Sequence, residues 1–208
     1  MKQYIPTVAA LLATICTFAQ TASASQEQLA SSIQQARIET VRTADQLKAT
    51  LSALNALSRK SQGDLKGAYD AFAVEVPKTE AAAAWTKTRV EWMEGDGQRY
   101  FETWQASVNS IANASLRKKA QRRLDSVKAS FQKVNKSLVT ARDKFQPFLS
   151  DLSDIQKALA NDVTPAGVKA VRSTVEEADW NHKFVSNAIQ QALKEMKKME
   201  EALGSEAK

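Results

Sequence analysis

The chain has 208 residues, with 29 Lys and Arg against 23 Asp and Glu, giving a formal net charge of +6. That excess is too mild to imply nucleic acid, and the length suffices for one domain with a sizeable core. Six glycines and four prolines are few, and with abundant Ala, Gln, Lys, Glu and Leu they favour helix throughout.

Met1-Lys2, the apolar stretch Val8 to Ala19 and the small residues Ala22-Ser23-Ala24 read as a secretory signal with its cleavage site. A signal peptide is therefore expected over residues 1–24, leaving a single helical-bundle domain over 25–208. Loss of Lys2 lowers the net charge to +5. The apolar stretch is shorter than the ~20 residues that span hydrocarbon, and no later segment is apolar enough to span. Cys16 is the only cysteine, so the mature chain is expected to carry no thiol. Ile15 stands where a lipoprotein signal would place a small residue, which argues for cleavage after Ala24 and against lipidation of Cys16.

Four long helices are expected, at about 26–62, 64–112, 115–160 and 165–203. In the first, Leu29, Ile33, Ala36, Ala44, Leu47, Leu51 and Leu54 recur at helical spacing. Gly63-Asp64 then supplies a helix stop followed by an N-cap. The second helix is the most regular. Its seam runs Leu65, Tyr69, Phe72, Val76, Thr79, Ala83, Thr86, Val90, Met93, Gly97, Tyr100 and Trp104, in alternating steps of four and three. Pro77 and the pair Gly95 and Gly97 break local propensity without shifting this phase, so one helix is expected, kinked at Pro77 and weakened near Gly95. The stretch Asn113-Ala114-Ser115-Leu116-Arg117 is the reversal. Beyond it a third seam runs from Leu116 through Phe131 and Phe148 to Leu159, with Pro147 inside. Thr164-Pro165 reads as an N-cap followed by proline in the first helical position. The fourth seam runs from Val168 to Leu203, and the tail Ser205 to Lys208 is expected to fray. Short connections set neighbours antiparallel. The expected fold is all-α, an elongated up-down bundle of coiled-coil-like helices.

Pro77 and Pro147 lie almost equally far from the reversal, so both are hinge candidates at one level of the rod. Phe101-Glu102-Thr103-Trp104, Asn113 to Arg117, Ala141-Arg142, Pro147-Phe148-Leu149 and Leu159-Ala160-Asn161 together resemble an uncharacterised family of exported bacterial proteins. That family carries a domain-of-unknown-function label. The resemblance covers most of the mature chain and implies a long helical bundle in the cell envelope; it brings no activity and no catalytic residues.

Arg117, Lys118, Lys119, Arg122 and Arg123 are the densest basic cluster. In the first turns of a helix they oppose the macrodipole, so they are candidates for binding an anion or a partner, with Glu200 and Glu201 as candidate acidic neighbours. Trp85 and Trp92 line a flank of the second seam, where they pack on a neighbouring helix or, if exposed, mark a partner surface. Trp180 and Phe184 form a similar pair. His182, the only histidine, falls on the fourth seam without a second imidazole and reads as a structural residue; no metal and no cofactor are expected. The carboxylates Asp151, Asp154, Glu176, Glu177 and Asp179 read as a solvated face. No nucleophile, base and orienter group together, so the protein reads as non-enzymatic. A periplasmic scaffold, adaptor or holdase-like protein is the first expectation. The alternative is a lipid- or anion-binding protein using the basic tip or a cavity in the bundle. The expected partners are envelope proteins or an anionic envelope surface of phospholipid or lipopolysaccharide, with a second copy of the chain able to pair through an exposed edge.

Overall fold

The computed structural model describes residues 7–60 and 63–204, with side chains from residue 23 onward. The expectations for Met1-Lys2, the Cys16 side chain, Gln62 and the tail from Ser205 lie outside these residues. Five helices occur: α1 (Thr7–Ser58), α2 (Leu65–Asn109), α3 (Ala114–Ala160), α4 (Pro165–Ala170) and α5 (Arg172–Gly204). The described residues contain no strand, and the fold is an all-α helical bundle.

Each start has a local cause. Asp64 accepts a hydrogen bond from the Gly67 N–H at 2.7 Å, Asn113 from Leu116 at 3.0 Å and Thr164 from Gly167 at 3.1 Å, each satisfying an N–H that the first turn leaves unpaired. Gly63 takes φ +92°, a conformation that side-chain-bearing residues rarely adopt. It does so beyond an α1 that already ends at Ser58, four residues before the expected limit.

The expected count of four helices is corrected to five. Val171 interrupts the last one with φ −90° and ψ −1°, its N–H directed to the Gly167 and Lys169 carbonyls. The apolar spacing Val168, Val171, Val175 continues across this one-residue break, so periodicity alone cannot reveal it.

α1 packs most extensively with α2, and α3 with α5; the contacts between these two pairs are fewer. The Thr43 and Thr86 hydroxyls lie 2.9 Å apart, and those of Thr50 and Thr79 2.7 Å apart. The Gln26 side chain donates to the Leu203 carbonyl at 2.9 Å, and Asn55 to Asp179 at 3.3 Å. Gln105 pairs with Gln121 at 2.8 Å, and the Gln156 amide donates to the Ala73 carbonyl at 3.0 Å. In the three pairs so bridged, α1–α2, α1–α5 and α2–α3, the numbers rise on one helix as they fall on the other.

Buried apolar side chains form two clusters. One holds Leu54, Phe72, Phe148, Ile155 and Val185; the other holds Leu29, Ile33, Met93, Phe131 and Met196. Each fully buried side chain of this size contributes about 1.5–3 kcal/mol relative to exposure.

The two helix breakers in α2 are absorbed by packing. Pro77 has no N–H for the carbonyl four residues earlier, which is that of Ala73, and the Gln156 side chain of α3 supplies the missing donor. Gly97 is buried because the Phe131 ring occupies the place of its side chain: a Cβ there would lie 2.3 Å from the ring. Pro147 and Asp143, whose carbonyl it leaves free, are both exposed, where water can serve the carbonyl.

Candidate functional site: a cleft between the helix pairs

The five basic residues of the α3 start are all exposed. Two of them hold helix ends. The Arg117 guanidinium donates to the Ile111 carbonyl at 3.2 Å, just past α2, and Arg123 to the Ala202 carbonyl at 3.4 Å, in the last turn of α5. Cations there complement the negative ends of those helices, an explanation for part of the cluster that sequence could not supply. The candidate acids stand on the same last turns of α5 but pair with other cations: Glu200 with Arg37 at 2.9 Å and Glu201 with Lys197 at 3.9 Å. Lys118, Lys119 and Arg122 remain on the open face of the tip.

Trp85 and Trp92 are 59% and 54% exposed, so the flank they line faces solvent. The Arg89 guanidinium lies 4.6 Å from the Trp92 ring centre and also donates to Gln35 of α1 at 2.8 Å. Trp180 and Phe184 are likewise exposed and contact each other edge to face at 5.7 Å. Pro77 lies four residues beyond Ala73, and Pro147 nine residues before Gln156, counted from the contact between those two. Asp151 and Glu177 come near enough to interact from different helices. Burial and then Glu177 push the Asp151 carboxyl above its usual range, while Asn181 bonds to its charged form. Among the described residues no group of three His, Cys, Asp or Glu is placed to hold a metal.

His182 is half-buried, with its ring 6.3 Å from that of Phe148. Burial pushes its pKa down, Asp179 pulls it up, and Lys48 adds to the lowering. The unfolded chain therefore takes up a proton that the folded chain resists, so stability falls as pH drops through and below the ordinary value of 6.5. Guanidinium unfolding midpoints should decline from pH 7.5 to pH 5, and the decline should be shallower in His182→Gln. An equal decline in the variant would assign the pH dependence to other groups.

Sequence periodicity missed the feature that separates the two apolar clusters. Between Thr79 and Met93, α2 has no buried residue, although its seam continues through Ala83, Thr86 and Val90. Thr40 and Thr43 stand opposite on α1. These side chains are too small, or too polar, to fill the space that Leu and Phe fill at either end. What remains is a cleft of about 240 Å³, reaching Leu138, Val139, Ala141 and Phe145 of α3 and Ile189 of α5. Its wall is mainly apolar, with the paired Thr43 and Thr86 hydroxyls inside and Lys87, Glu91, Glu94 and Arg142 as charged lining residues. Leu138, Ala141 and Phe145 are buried but keep 7–8% exposure through it. Asn135, one turn before Val139 on α3, has a buried Oδ1 with no hydrogen-bond partner among the described residues. The sequence signal is the run Ala81 to Ala84, where a seam otherwise rich in large residues turns small.

The family model described as "Protein of unknown function (DUF2959)" matches residues 18–203. The chain belongs to the DUF2959 family. The matched region includes both helix pairs and every residue of the cleft. Comparison with curated proteins and with solved structures matched nothing. Within this DUF2959 chain, the cleft is a place where the core leaves apolar surface open between the helix pairs.

Proposed function

We propose that this chain is a non-enzymatic protein of the bacterial cell envelope that holds the apolar chain of an amphipathic molecule in the α2–α3 cleft. The observation that carries this reading is the interruption of the core between Thr79 and Met93. A packed interior leaves few voids, and an apolar opening of this size invites a ligand. At about 240 Å³ it is smaller than the ~300–1,000 Å³ typical of drug-sized ligands, so it suits a chain segment with the headgroup outside. Each methylene transferred from water contributes about 0.8 kcal/mol.

The fold that frames the cleft is an up-down antiparallel bundle, a reading supported by the opposed numbering of the interhelical contacts. Its 45-residue α2 is about 67 Å long, hence an elongated rod. Export is supported by the signal pattern of residues 1–24. Among the described residues no helix is long and apolar enough to cross a membrane, consistent with a mature chain that lies in the periplasm. Lys118, Lys119 and Arg122 suit contact with an anionic envelope surface. Pro147 and Pro77 differ by five residues in level, about 7.5 Å, and Pro147 lies just past the Phe145 wall of the cleft. Bending there would widen it.

A scaffold or adaptor role is favoured separately by the exposed tryptophans. The cleft reading is tested by titrating a fluorescent single-chain fatty acid into wild type and Ala83→Phe. The half-buried Ala83 side chain lines the cleft, so phenylalanine should occupy it, weakening saturable binding at least tenfold with thermal stability retained. No saturable binding by wild type, or equal binding by Ala83→Phe, would refute the proposal.

A further inference from the structure

The charged residues of the cleft sort into two levels. α2 and α3 touch at Gly97 and Phe131, and again where the Gln156 side chain meets the Ala73 carbonyl at 3.0 Å. Between these contacts the helices run side by side, and interpolation sets Glu94 level with Asn135 and Lys87 level with Arg142. Spacing agrees. Ala73, Lys87, Glu94 and Phe101 are separated by multiples of seven on α2, as are Gln121, Asn135, Arg142 and Gln156 on α3. The far ends of both series also meet the other helix, Phe101 at Phe131 with 5.5 Å between ring centres and Gln121 at Gln105 at 2.8 Å. A seven-residue series that starts and finishes on one neighbour stays on it between.

Each level lacks something. Lys87 and Arg142 are two cations across the cleft mouth, and their contacts are with exposed acids of their own helices. Lys87 lies 3.8 Å from Glu91, while Arg142 donates to Asp143 from Nη2 at 2.9 Å and from Nε at 3.1 Å, which leaves Nη1. At the other level Glu94 lines the cleft and is exposed, and its carboxylate has no ion pair or hydrogen bond among the described residues. Asn135 Oδ1 is a second acceptor without a donor. Asn135 is half-buried, so a rotation of its amide, not a change of fold, offers that oxygen to a ligand.

We infer that the occupant of the cleft is a single-chain phospholipid whose headgroup ends in a primary ammonium, with its phosphate at Lys87 and Arg142 and its ammonium at Glu94 and Asn135. This rests on the cleft reading proposed above and names the class of molecule held. Two like charges facing one another repel, and an anion between them turns both interactions favourable; a guanidinium matches phosphate in particular. The acceptors of the next level call for N–H donors. A primary ammonium brings three and a quaternary ammonium none. The four charged lining residues, Lys87, Glu91, Glu94 and Arg142, sum to zero, which suits a headgroup that is neutral overall with its charges separated. The two levels are seven residues, about 10 Å, apart, a gap that the long Lys87 and Arg142 side chains and the arm between phosphate and ammonium cover together.

Competition against the fluorescent fatty acid tests the headgroup, using lysophosphatidylethanolamine, lysophosphatidylcholine and lysophosphatidylglycerol of one acyl chain, each below its micelle concentration. Wild type should bind the ethanolamine lipid about tenfold more tightly than the other two. Glu94→Gln, a change at an exposed position, should bring the ethanolamine lipid level with them and leave fatty-acid affinity unchanged. Arg142→Gln should weaken all three lysophospholipids. Equal affinities in wild type, a preference that survives Glu94→Gln, or indifference to Arg142→Gln overturns the inference, while fatty-acid binding that Ala83→Phe blocks still upholds the cleft. No saturable binding of the fatty acid overturns the cleft reading itself, and the inference with it.

Discussion

Replacing Gly97 by leucine is expected to lower unfolding stability by about 3 kcal/mol, the upper part of the range for overpacking a buried site. The cause is specific. A Cβ at Gly97 meets Cζ of Phe131 at 2.3 Å and Cε1 at 2.5 Å, and these are ring atoms wedged between α2 and α3 rather than the tip of a flexible chain. For a chain of this length the loss corresponds to a fall in Tm of roughly 6–12 °C. The neighbouring glycine should respond in the opposite direction. A Cβ at Gly95 meets only the Arg99 Nη1 atom, at 3.6 Å, so Gly95→Ala should recover up to ~1 kcal/mol of helix propensity. Thermal melts of both variants check the pair, and Phe131→Ala should relieve part of the Gly97→Leu loss. Equal stability of Gly97→Leu and wild type would show that the ring moves freely.

The second large effect lies at Pro77. Gln156→Leu removes the donor that reaches the Ala73 carbonyl, leaving a half-buried acceptor unpaired at a cost of about 1–3 kcal/mol. Pro77→Ala restores the backbone N–H four residues after Ala73, and it removes a residue that costs about 3 kcal/mol in a helix interior. In the Pro77→Ala background the Gln156→Leu substitution should therefore cost about 1 kcal/mol less than in wild type. The cycle is read from denaturant unfolding of the four proteins. An identical cost in both backgrounds would separate Gln156 from the proline.

Much of the fold was legible in the sequence because a heptad seam is a global signal that two prolines and a glycine pair do not erase. The caps at Asp64 and Thr164 were legible for the opposite reason, since each acts within three residues, whereas Asn113 was visible only as part of the reversal and its capping of α3 came from the structure. The break at Val171 was not, because a valine on the seam looks the same whether or not the helix unwinds there. Nor were the compensations: Gln156 serves Ala73 across 83 residues, and Phe131 fills the space above Gly97 from another helix. The basic tip was visible as composition, but the duty of Arg117 and Arg123 at helix ends depends on where α2 and α5 finish. The tryptophan flank was visible as spacing; its exposure is a property of the packed bundle. The cleft escaped notice because Ala83 and Thr86 keep the seam's phase, and phase reports position rather than volume.

The most direct measurement of the cleft reading is a map of where a bound chain lies. A fatty acid carrying a diazirine near its methyl end, photolysed with the full protein and located by mass spectrometry, should label Val90, Leu138, Val139 or Phe145, and Ala83→Phe should abolish that labelling. Labelling confined to the exposed Trp180 and Phe184, or unchanged by Ala83→Phe, would contradict a ligand held between α2 and α3.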